Sequence, residues 1–181
     1  MLSSSQDFLK PEQIITNLNI EAGDHVADFG AGHGYFTLPI AKIVGGDGKV
    51  YAIDIQKSVL EVIRAKAKLE HLLNIEPIWG NLEEIGGSKL KEKFIDLVMV
   101  NNIFFQVEDK FTLLREAHRI LREDGSLALI EWNMSVNSLG PPISLRIPQD
   151  NVKSMVVETG FAFVREIPAG SHHFGLLFVK K

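Results

Sequence analysis

The stretch that decides the fold is residues 26–34, which read VADFGAGHG. A mostly apolar run ends at Phe29, and glycines follow at positions 30, 32 and 34. Glycine adopts backbone conformations that other residues avoid, so the chain can turn sharply here and let a ligand approach its main chain. Such a turn after a buried strand predicts a ligand site at the carboxyl end of a parallel sheet. The alternative is a tight strand-to-helix turn that binds nothing.

Outward from this loop, short apolar runs alternate with amphipathic helical patterns. Strands are predicted at residues 25–29, 49–54, 75–79, 94–101 and 126–132, and helices at residues 11–18, 57–72 and 109–122. The helix over 109–122 has the clearest pattern, because Leu113, Leu114, Ala117 and Ile120 recur on one face. Buried strands that alternate with such helices predict a parallel sheet with right-handed crossovers.

The C-terminal part has a different order of elements. A helix predicted at residues 149–159 precedes two strands, at 161–167 and 173–180, with a short turn around residues 168–171 between them. A turn this short joins antiparallel neighbours, so the last strand is expected to reverse direction.

Composition places the chain among globular proteins. Its 181 residues are 45% hydrophobic and 23% charged, which is close to the average for folded domains. We therefore expect a single domain over residues 1–181, with an N-terminal segment and helix over residues 1–20. The longest loop, residues 133–148, contains a Gly-Pro-Pro sequence and is interpreted as a possible flap.

Charge and cysteine content exclude several classes of function. The net charge of −4 disfavours a bulk nucleic-acid partner. The absence of cysteine excludes disulfides, thiolate metal sites and cysteine nucleophiles, and no metal site is predicted. The polar start and the short apolar runs contain neither a secretory signal nor a membrane span, so the cytoplasm is the expected location.

Two carboxylates decide between the nucleotide-type ligands that suit the glycine loop. Asp28 lies just before the glycines, where it would repel a pyrophosphate but suit the ammonium and sulfonium of S-adenosylmethionine. A dinucleotide-binding G-x-G-x-x-G loop would need glycine at position 35, where Tyr35 stands. Asp54 ends the second predicted strand, where a carboxylate accepts hydrogen bonds from ribose hydroxyls in sites of either kind. Together these features favour S-adenosylmethionine, and a solvated strand end is the alternative for Asp54.

These motifs resemble those of the class I S-adenosylmethionine-dependent methyltransferases, in particular the small-molecule, quinone-biosynthesis-like group. Residues 26–37 resemble the family's first motif, residues 50–55 its second, residues 94–98 its fourth strand and residues 121–126 the step into its fifth. The resemblance implies an α/β, Rossmann-like doubly wound sheet of seven strands, mostly parallel with the last strand antiparallel. It also implies an enzyme that transfers a methyl group by in-line displacement to a small-molecule acceptor.

The resemblance further implies which residues hold the cofactor. The methionine moiety would lie against Asp28, Gly30 and Gly32, and Ala31 of the same loop would also contact the cofactor. The ribose would lie against Asp54, the adenine against Ile55, Asn81 and Leu82, and the amino-acid end beside Asn101 and Asn102. Many relatives carry aspartate where Asn81 stands, but an amide oxygen still accepts a hydrogen bond from the adenine amine.

Two departures from the family narrow the acceptor. Residues 101–105 lack the Pro-Pro-aromatic signature of base and glutamine-amide methylation, which disfavours DNA and protein amides as substrates. The arsenic-methylating relatives depend on cysteine thiolates, so a chain without cysteine is excluded from that branch.

The acceptor is expected over the carboxyl ends of the fourth and fifth strands. Residues predicted there are Phe104, Glu131, Trp132 and Asn133. Core packing is an equal alternative for Phe104, and loop fixing is the more common role for a carboxylate such as Glu131. An antiparallel last strand would bring His172 and His173 near Trp132, where one could face the acceptor as a base or an orienting group. A solvated hairpin residue is the alternative for each histidine.

No catalytic residue is assigned, because transfer from a sulfonium mainly needs alignment and exclusion of water. Two other functions stay open: a non-catalytic member of the fold that binds the cofactor or serves as a scaffold, and a nicotinamide-dependent oxidoreductase. The glycine spacing and Asp28 disfavour the latter. A homodimer or a partner subunit is a possible way to complete the acceptor pocket.

Overall fold

A computed structural model of the protein describes residues 9–135 and 139–181. The first half contains α1 (Pro11–Ile15), β1 (His25–Phe29), α2 (Thr37–Val44), β2 (Lys49–Asp54), α3 (Lys57–Leu69) and β3 (Ile75–Trp79). The second half contains β4 (Ile95–Asn101), α4 (Lys110–Ile120), β5 (Leu121–Trp132), a short 3₁₀ helix (Ile143–Leu145), α5 (Gln149–Glu158), β6 (Phe161–Ile167) and β7 (His173–Lys180).

The strands form one seven-stranded sheet in the order β3-β2-β1-β4-β5-β7-β6. Strands β1 to β5 are parallel to one another, whereas β7 is antiparallel to both β5 and β6. The predicted fold class is thus confirmed, including the reversal of the last strand. Between β1 and β4 the strand order changes direction, and the connections that follow these two strands run to opposite faces of the sheet. Such a point leaves a crevice outside the carboxyl ends of the strands.

Helices cover both faces of the sheet. Successive residues of a strand point to opposite faces, so the strands near the centre of the sheet pack against helices on both sides. Val26 and Val50 pack with buried residues of α1 and α2, and Ala52 packs with α3 on the same face. Ala27 and Phe29 point the other way, into the cluster that buries α4 and α5. Each strand near the centre of the sheet is therefore buried on both faces, which explains its nearly continuous apolar sequence.

Several predicted boundaries are corrected by the structure. The helix predicted over 109–122 ends at Ile120, and Leu121 already begins β5 with extended backbone angles (φ −66°, ψ 137°) because it pairs with Ile95 of β4. The helix predicted over 57–72 ends at Leu69, and His71 adopts a left-handed conformation with φ of 56°.

Other differences are smaller. The helix predicted over 11–18 ends at Ile15, the strand predicted from 94 begins at Ile95, and α5 ends one residue early, at Glu158. The predicted flap contains the unpredicted 3₁₀ helix, and its residues 136–138 lie outside the described residues, as do residues 1–8 of the predicted N-terminal segment. Within the described parts of the chain, no helix is both long enough and apolar enough to cross a membrane.

Candidate cofactor and acceptor site

A cavity of about 260 Å³ lies at the carboxyl edge of the sheet, beside the crevice between β1 and β4. Its wall is formed by Gly30, Asp54, Ile55, Gln56, Gly80, Asn81, Leu82, Glu83, Ile103, Gln106 and Val107. Five of the residues predicted to hold the cofactor are among these: Gly30, Asp54, Ile55, Asn81 and Leu82. The structure therefore brings together residues from three separate segments that the sequence analysis had placed at one ligand.

Asp54 ties the glycine loop to the end of β2. Its Oδ2 accepts a hydrogen bond from the backbone N–H of Gly32 at 3.0 Å, and its Oδ1 accepts one from the N–H of Gln56 at 2.8 Å. A carboxylate oxygen has two lone pairs, so each oxygen retains an acceptor site after these bonds. Because Asp54 also lines the cavity, it can fix the loop and accept hydrogen bonds from a bound diol at the same time.

Asp28 is a buried carboxylate on the neighbouring strand, and only 2% of its surface is exposed. The Oγ1 hydroxyl of Thr37, at the start of α2, donates to its Oδ2 at 2.5 Å. Burial raises the pKa of Asp28 to about 6, and the negative charge of Asp54 adds to the increase. A buried carboxylate of this kind is stabilised by a cation, so Asp28 fits the ammonium end of an amino-acid ligand.

Asn101, Asn102 and His173 form a second polar group at the same edge, which we name the polar corner. Asn102 follows β4 with a φ of 53°, and its Nδ2 lies 3.2 Å from Nε2 of His173, the first residue of β7. Three buried atoms here find no hydrogen-bond partner among the described residues: Oδ1 of Asn101, Oδ1 of Asn102 and Nδ1 of His173. Since nearly all buried polar atoms in folded proteins are hydrogen-bonded, the polar corner fits a ligand group that supplies donors and an acceptor.

The loop after β3 closes the opposite side of the cavity, where the adenine was expected. The Oδ1 of Asn81 accepts from the N–H of Glu83 at 3.1 Å, and its Nδ2 donates to Glu84 at 2.9 Å. These bonds stabilise the local turn. The side chain of Asn81 is thus ordered at the cavity wall by its own loop.

Glu116 holds this loop in place, and sequence reasoning did not find it. The side chain lies on α4, is 0% exposed, and accepts hydrogen bonds from the N–H of Gly86 at 2.8 Å and from Ser88. Arg119, one turn along the helix, donates to both of its oxygens at 2.8 Å. In the sequence the two residues have the spacing of an ordinary surface ion pair, so no signal distinguishes them from a solvated pair.

Replacing Glu116 with glutamine tests this anchor. We expect the free energy of unfolding to fall by about 2 kcal/mol, because the substitution breaks a buried charge-assisted pair and leaves donors of the loop unsatisfied. The matched control is Glu61→Gln, which breaks the exposed Glu61–Arg64 pair of the same spacing on α3 and should cost almost nothing. Urea unfolding of both variants is the measurement, and equal losses would contradict an anchoring role for Glu116.

On the acceptor side, two predicted residues lie within the protein core. Phe104 is fully buried in the core cluster. Glu131 is 0% exposed, and its oxygens accept from the N–H of Trp132 at 2.8 Å and of Phe105 at 3.1 Å. Burial raises the pKa of Glu131 to about 7. Its contacts are those of a carboxylate that fixes the loop after β4 to the end of β5.

The remaining predicted residues connect β5 to the hairpin before β7. The backbone N–H of Asn133 donates to the carbonyl of His172 at 3.0 Å, and its side chain donates to the carbonyl of Ser171 at 2.7 Å. The expectation that the histidines come near Trp132 is met for His173, whose ring centroid lies 4.1 Å from that of the indole.

The flap packs against the same indole. A Cβ added to Gly140, which has a φ of +83°, would lie 2.5 Å from the ring of Trp132. The buried guanidinium of Arg146 lies 5.6 Å from that ring and donates to the carbonyls of Asn133, Leu139 and Pro141. Trp132 and Arg146 therefore hold residues 139–148 of the predicted flap next to the polar corner.

Comparisons with known proteins agree with this architecture. A SAM dependent methyltransferase from Aquifex aeolicus has the same fold, with a TM-score of 0.89, 24% identity and coverage of 99% of this chain and 94% of that chain. A putative type 11 methyltransferase from Sulfolobus solfataricus follows with a TM-score of 0.74, 24% identity and coverage of 96% and 94%. At these identities the likeness concerns the fold alone.

Comparisons of the sequence identify related proteins and a matching family model. The demethylmenaquinone methyltransferase of Geobacillus sp. (strain WCH70) is 28% identical over 120 residues, which cover 66% of this chain and 50% of that protein. The chain thus spans about half the length of the curated relatives it matches. A model of the methyltransferase domain matches residues 20–160, from the segment before β1 to the start of the last hairpin. The resemblance to the methyltransferase family is therefore confirmed, and the chain belongs to the methyltransferase domain family.

Proposed function

We propose that this chain is an S-adenosylmethionine-dependent methyltransferase acting on a small-molecule acceptor. The observation that carries the proposal is the pair of buried carboxylates, Asp28 and Asp54, on adjacent strands at the two sides of the glycine loop. One is suited to a cation and the other to a diol, and the ligand proposed here has both. The names of the family relatives support the same chemistry.

The residues of the site have separate roles in this proposal. Asp28 binds the ammonium, and the unpartnered amide oxygen of Asn101 lies on the next strand, where it can accept from the same group. Asp54 binds the ribose hydroxyls, and Asn81 with Leu82 lies against the adenine. When bound, S-adenosylmethionine supplies a methyl group that is already activated by its sulfonium. The chain then has to orient the acceptor in line with that methyl group and keep water away.

The relatives also support a class of acceptor. The relatives named demethylmenaquinone methyltransferase are, by that name, enzymes whose acceptor is demethylmenaquinone. The family model matches residues 20–160, a range that contains Asp28, Asp54, Asn101 and Asn102. A small hydroxyaromatic acceptor is therefore our proposal, rather than a nucleic acid or a protein amide. A nicotinamide-dependent oxidoreductase is disfavoured because the buried Asp28 would lie beside a pyrophosphate.

Thermal unfolding tests the cofactor directly. We expect the melting temperature to rise by roughly 5–10 °C in S-adenosylmethionine or S-adenosylhomocysteine at about 100 times the dissociation constant, since such binding adds about 2.7 kcal/mol. NADH at the same concentration should leave the melting temperature unchanged. A rise with NADH alone would favour the oxidoreductase, and no rise with any ligand would favour a scaffold function.

A further inference from the structure

The polar corner lies on the same face of the sheet as the cofactor carboxylate. Asp28 is next to Met99 of β4, and Asn101 is two residues further along that strand, so the two side chains share a face. Met99 is next to Ala128 of β5, and Trp132 follows four residues later on the same face, paired with His173. His173 therefore lies beyond Asn101 towards the carboxyl ends of the strands, where the acceptor is expected.

The hydrogen bond between His173 and Asn102 determines the state of the imidazole. Nδ2 of an asparagine amide can only donate, so Nε2 of His173, at 3.2 Å, accepts. The proton of the neutral ring is then on Nδ1. That nitrogen is buried and finds no hydrogen-bond partner among the described residues, and His173 as a whole is only 7% exposed.

The surroundings of His173 favour the neutral ring and disfavour a role as general base. Burial, with smaller contributions from the positive charges of His172 and Arg146, lowers the pKa of His173 to about 4. A base this weak provides little driving force for removing a proton from a phenol or quinol, which titrates near 10. Glu131 has a better matched pKa of about 7, but both of its oxygens accept backbone hydrogen bonds and its side chain is fully buried. Of the two roles considered for His173, orientation of the acceptor is the one that its contacts support.

We propose that His173 is an acceptor-binding residue whose Nδ1–H donates a hydrogen bond to an oxygen of the acceptor head group. The ring is held in this orientation by Asn102 on one nitrogen and by Trp132 at its side. The amide oxygen of Asn102 completes the corner as an acceptor for a hydroxyl of the same group, while that of Asn101 faces the cofactor in the proposed function. The chemical class that matches one donor and one acceptor is a phenol, quinol or enol with two oxygens. This inference rests on the proposed methyltransferase function and deepens it.

Substitutions that imitate one ring nitrogen at a time test the proposal. Asparagine places a donor near the position of Nδ1, glutamine reaches the position of Nε2, and phenylalanine supplies neither. With S-adenosylmethionine and 1,4-dihydroxynaphthalene as the probe acceptor, we expect His173→Phe and His173→Gln to raise the KM for the probe at least tenfold. His173→Asn should stay within about threefold of the natural protein. The affinity for S-adenosylhomocysteine, measured by calorimetry, should not change in any variant.

A measurement on the unchanged protein covers the case in which a variant fails to fold. We expect ¹⁵N spectra of the imidazole to show His173 protonated at Nδ1 between pH 6 and 8. The Nδ1 resonance should move when 1,4-dihydroxynaphthalene is added to the protein saturated with S-adenosylhomocysteine.

The outcomes separate this inference from the proposed function. Protonation at Nε2, an unmoved resonance, or a natural KM in His173→Phe overturns the role of His173 while S-adenosylhomocysteine still binds. Failure of the probe to bind or react in the cofactor-bound protein likewise overturns the proposed acceptor class. A protein that does not bind S-adenosylhomocysteine at all overturns both proposals.

Discussion

Replacement of Asp28 by asparagine is expected to stabilise the protein while it weakens cofactor binding about 100-fold. The effects on stability and on cofactor affinity are expected to be opposite, because the buried carboxylate is unfavourable in the free protein and favourable only beside a cation. Asparagine has the same shape and can still accept the hydrogen bond that Thr37 donates. It cannot supply the charge. A hydrogen bond to a charged partner contributes about 1.5–3 kcal/mol, which corresponds to an affinity loss of this order.

The gain in stability should depend on pH with a defined sign. Burial raises the pKa of Asp28 from 3.8 to about 6 in the folded protein. The folded state therefore retains the proton over a range in which the unfolded chain has lost it, and the contribution of Asp28 to stability declines as pH rises from about 4 through 6. A shift of this size corresponds to at most about 3 kcal/mol. The advantage of Asp28→Asn over the natural protein should thus be small at pH 4.5 and largest at pH 8, as measured by urea unfolding.

Cofactor affinity of the natural protein should fall in acid for the same reason. Below pH 6 the carboxyl of Asp28 must lose a proton before it can bind an ammonium, so the affinity should decrease by up to about tenfold per pH unit. This dependence should be absent in Asp28→Asn.

Asp96 provides a matched control for Asp28, because it is an aspartate near the amino-terminal end of β4, at the end of the strands away from the cofactor site. Its side chain, near the start of β4, accepts a hydrogen bond from the N–H of His25 at 2.7 Å and forms an ion pair with Arg122 at 2.8 Å. Asp96→Asn should therefore lose stability and keep its affinity for S-adenosylhomocysteine. An Asp28→Asn protein that binds within threefold of the natural affinity would show that Asp28 does not contact the cofactor.

The fold was predictable where the apolar pattern of a strand has clear limits. The bounds of β1, β2, β3, β6 and β7 agree with the prediction residue by residue, because each strand ends at, or next to, a polar residue, glycine or proline. Leu121 shows why the start of β5 was not. Its position completes the apolar stripe of α4 as well as it fits a strand, and only pairing with Ile95 selects the extended conformation. The strand propensity of a residue depends on its packing in the sheet, so the local sequence alone cannot predict a conformation that is set by pairing with another strand.

The site was predictable where its chemistry is local in the sequence. Gly30 and Asp54 belong to motifs, and the structure places both in the wall of one cavity. Ile103, Gln106 and Val107 line the same cavity but follow β4 in a segment without a recognisable pattern. Glu116 and Arg146 were missed because their burial depends on tertiary packing, and neither residue type is usually buried.

Substitution of Gly30 by alanine is the other change with a large expected effect, on stability and on the cavity together. Gly30 has a φ of +71°, a left-handed conformation that costs other residues about 1–2 kcal/mol. An added Cβ would also lie 2.4 Å from Cγ2 and 2.8 Å from Cδ1 of Ile103, and overpacking of this kind costs about 1–3 kcal/mol more. We expect the free energy of unfolding to fall by about 3 kcal/mol.

Cofactor binding by Gly30→Ala should weaken at least tenfold, because Gly30 and Ile103 both line the cavity and the side chain of Ile103 must move to admit the methyl group.

The control variant Gly23→Ala separates the effect on stability from the effect on cofactor binding. Gly23 also has a positive φ, of 94°, but a Cβ there meets nothing within 4 Å and the residue is not in the cavity wall. It should lose stability by backbone strain alone and bind S-adenosylhomocysteine normally. The double variant Gly30→Ala, Ile103→Ala should lose less stability than the sum of the losses in its two single variants. The smaller side chain at position 103 removes the contact with the new methyl group, whereas the backbone strain at position 30 remains. Equal stability and equal affinity of Gly30→Ala and Gly23→Ala would mean that Ile103 adjusts freely and that the approach of Gly30 to the cavity is not needed for binding.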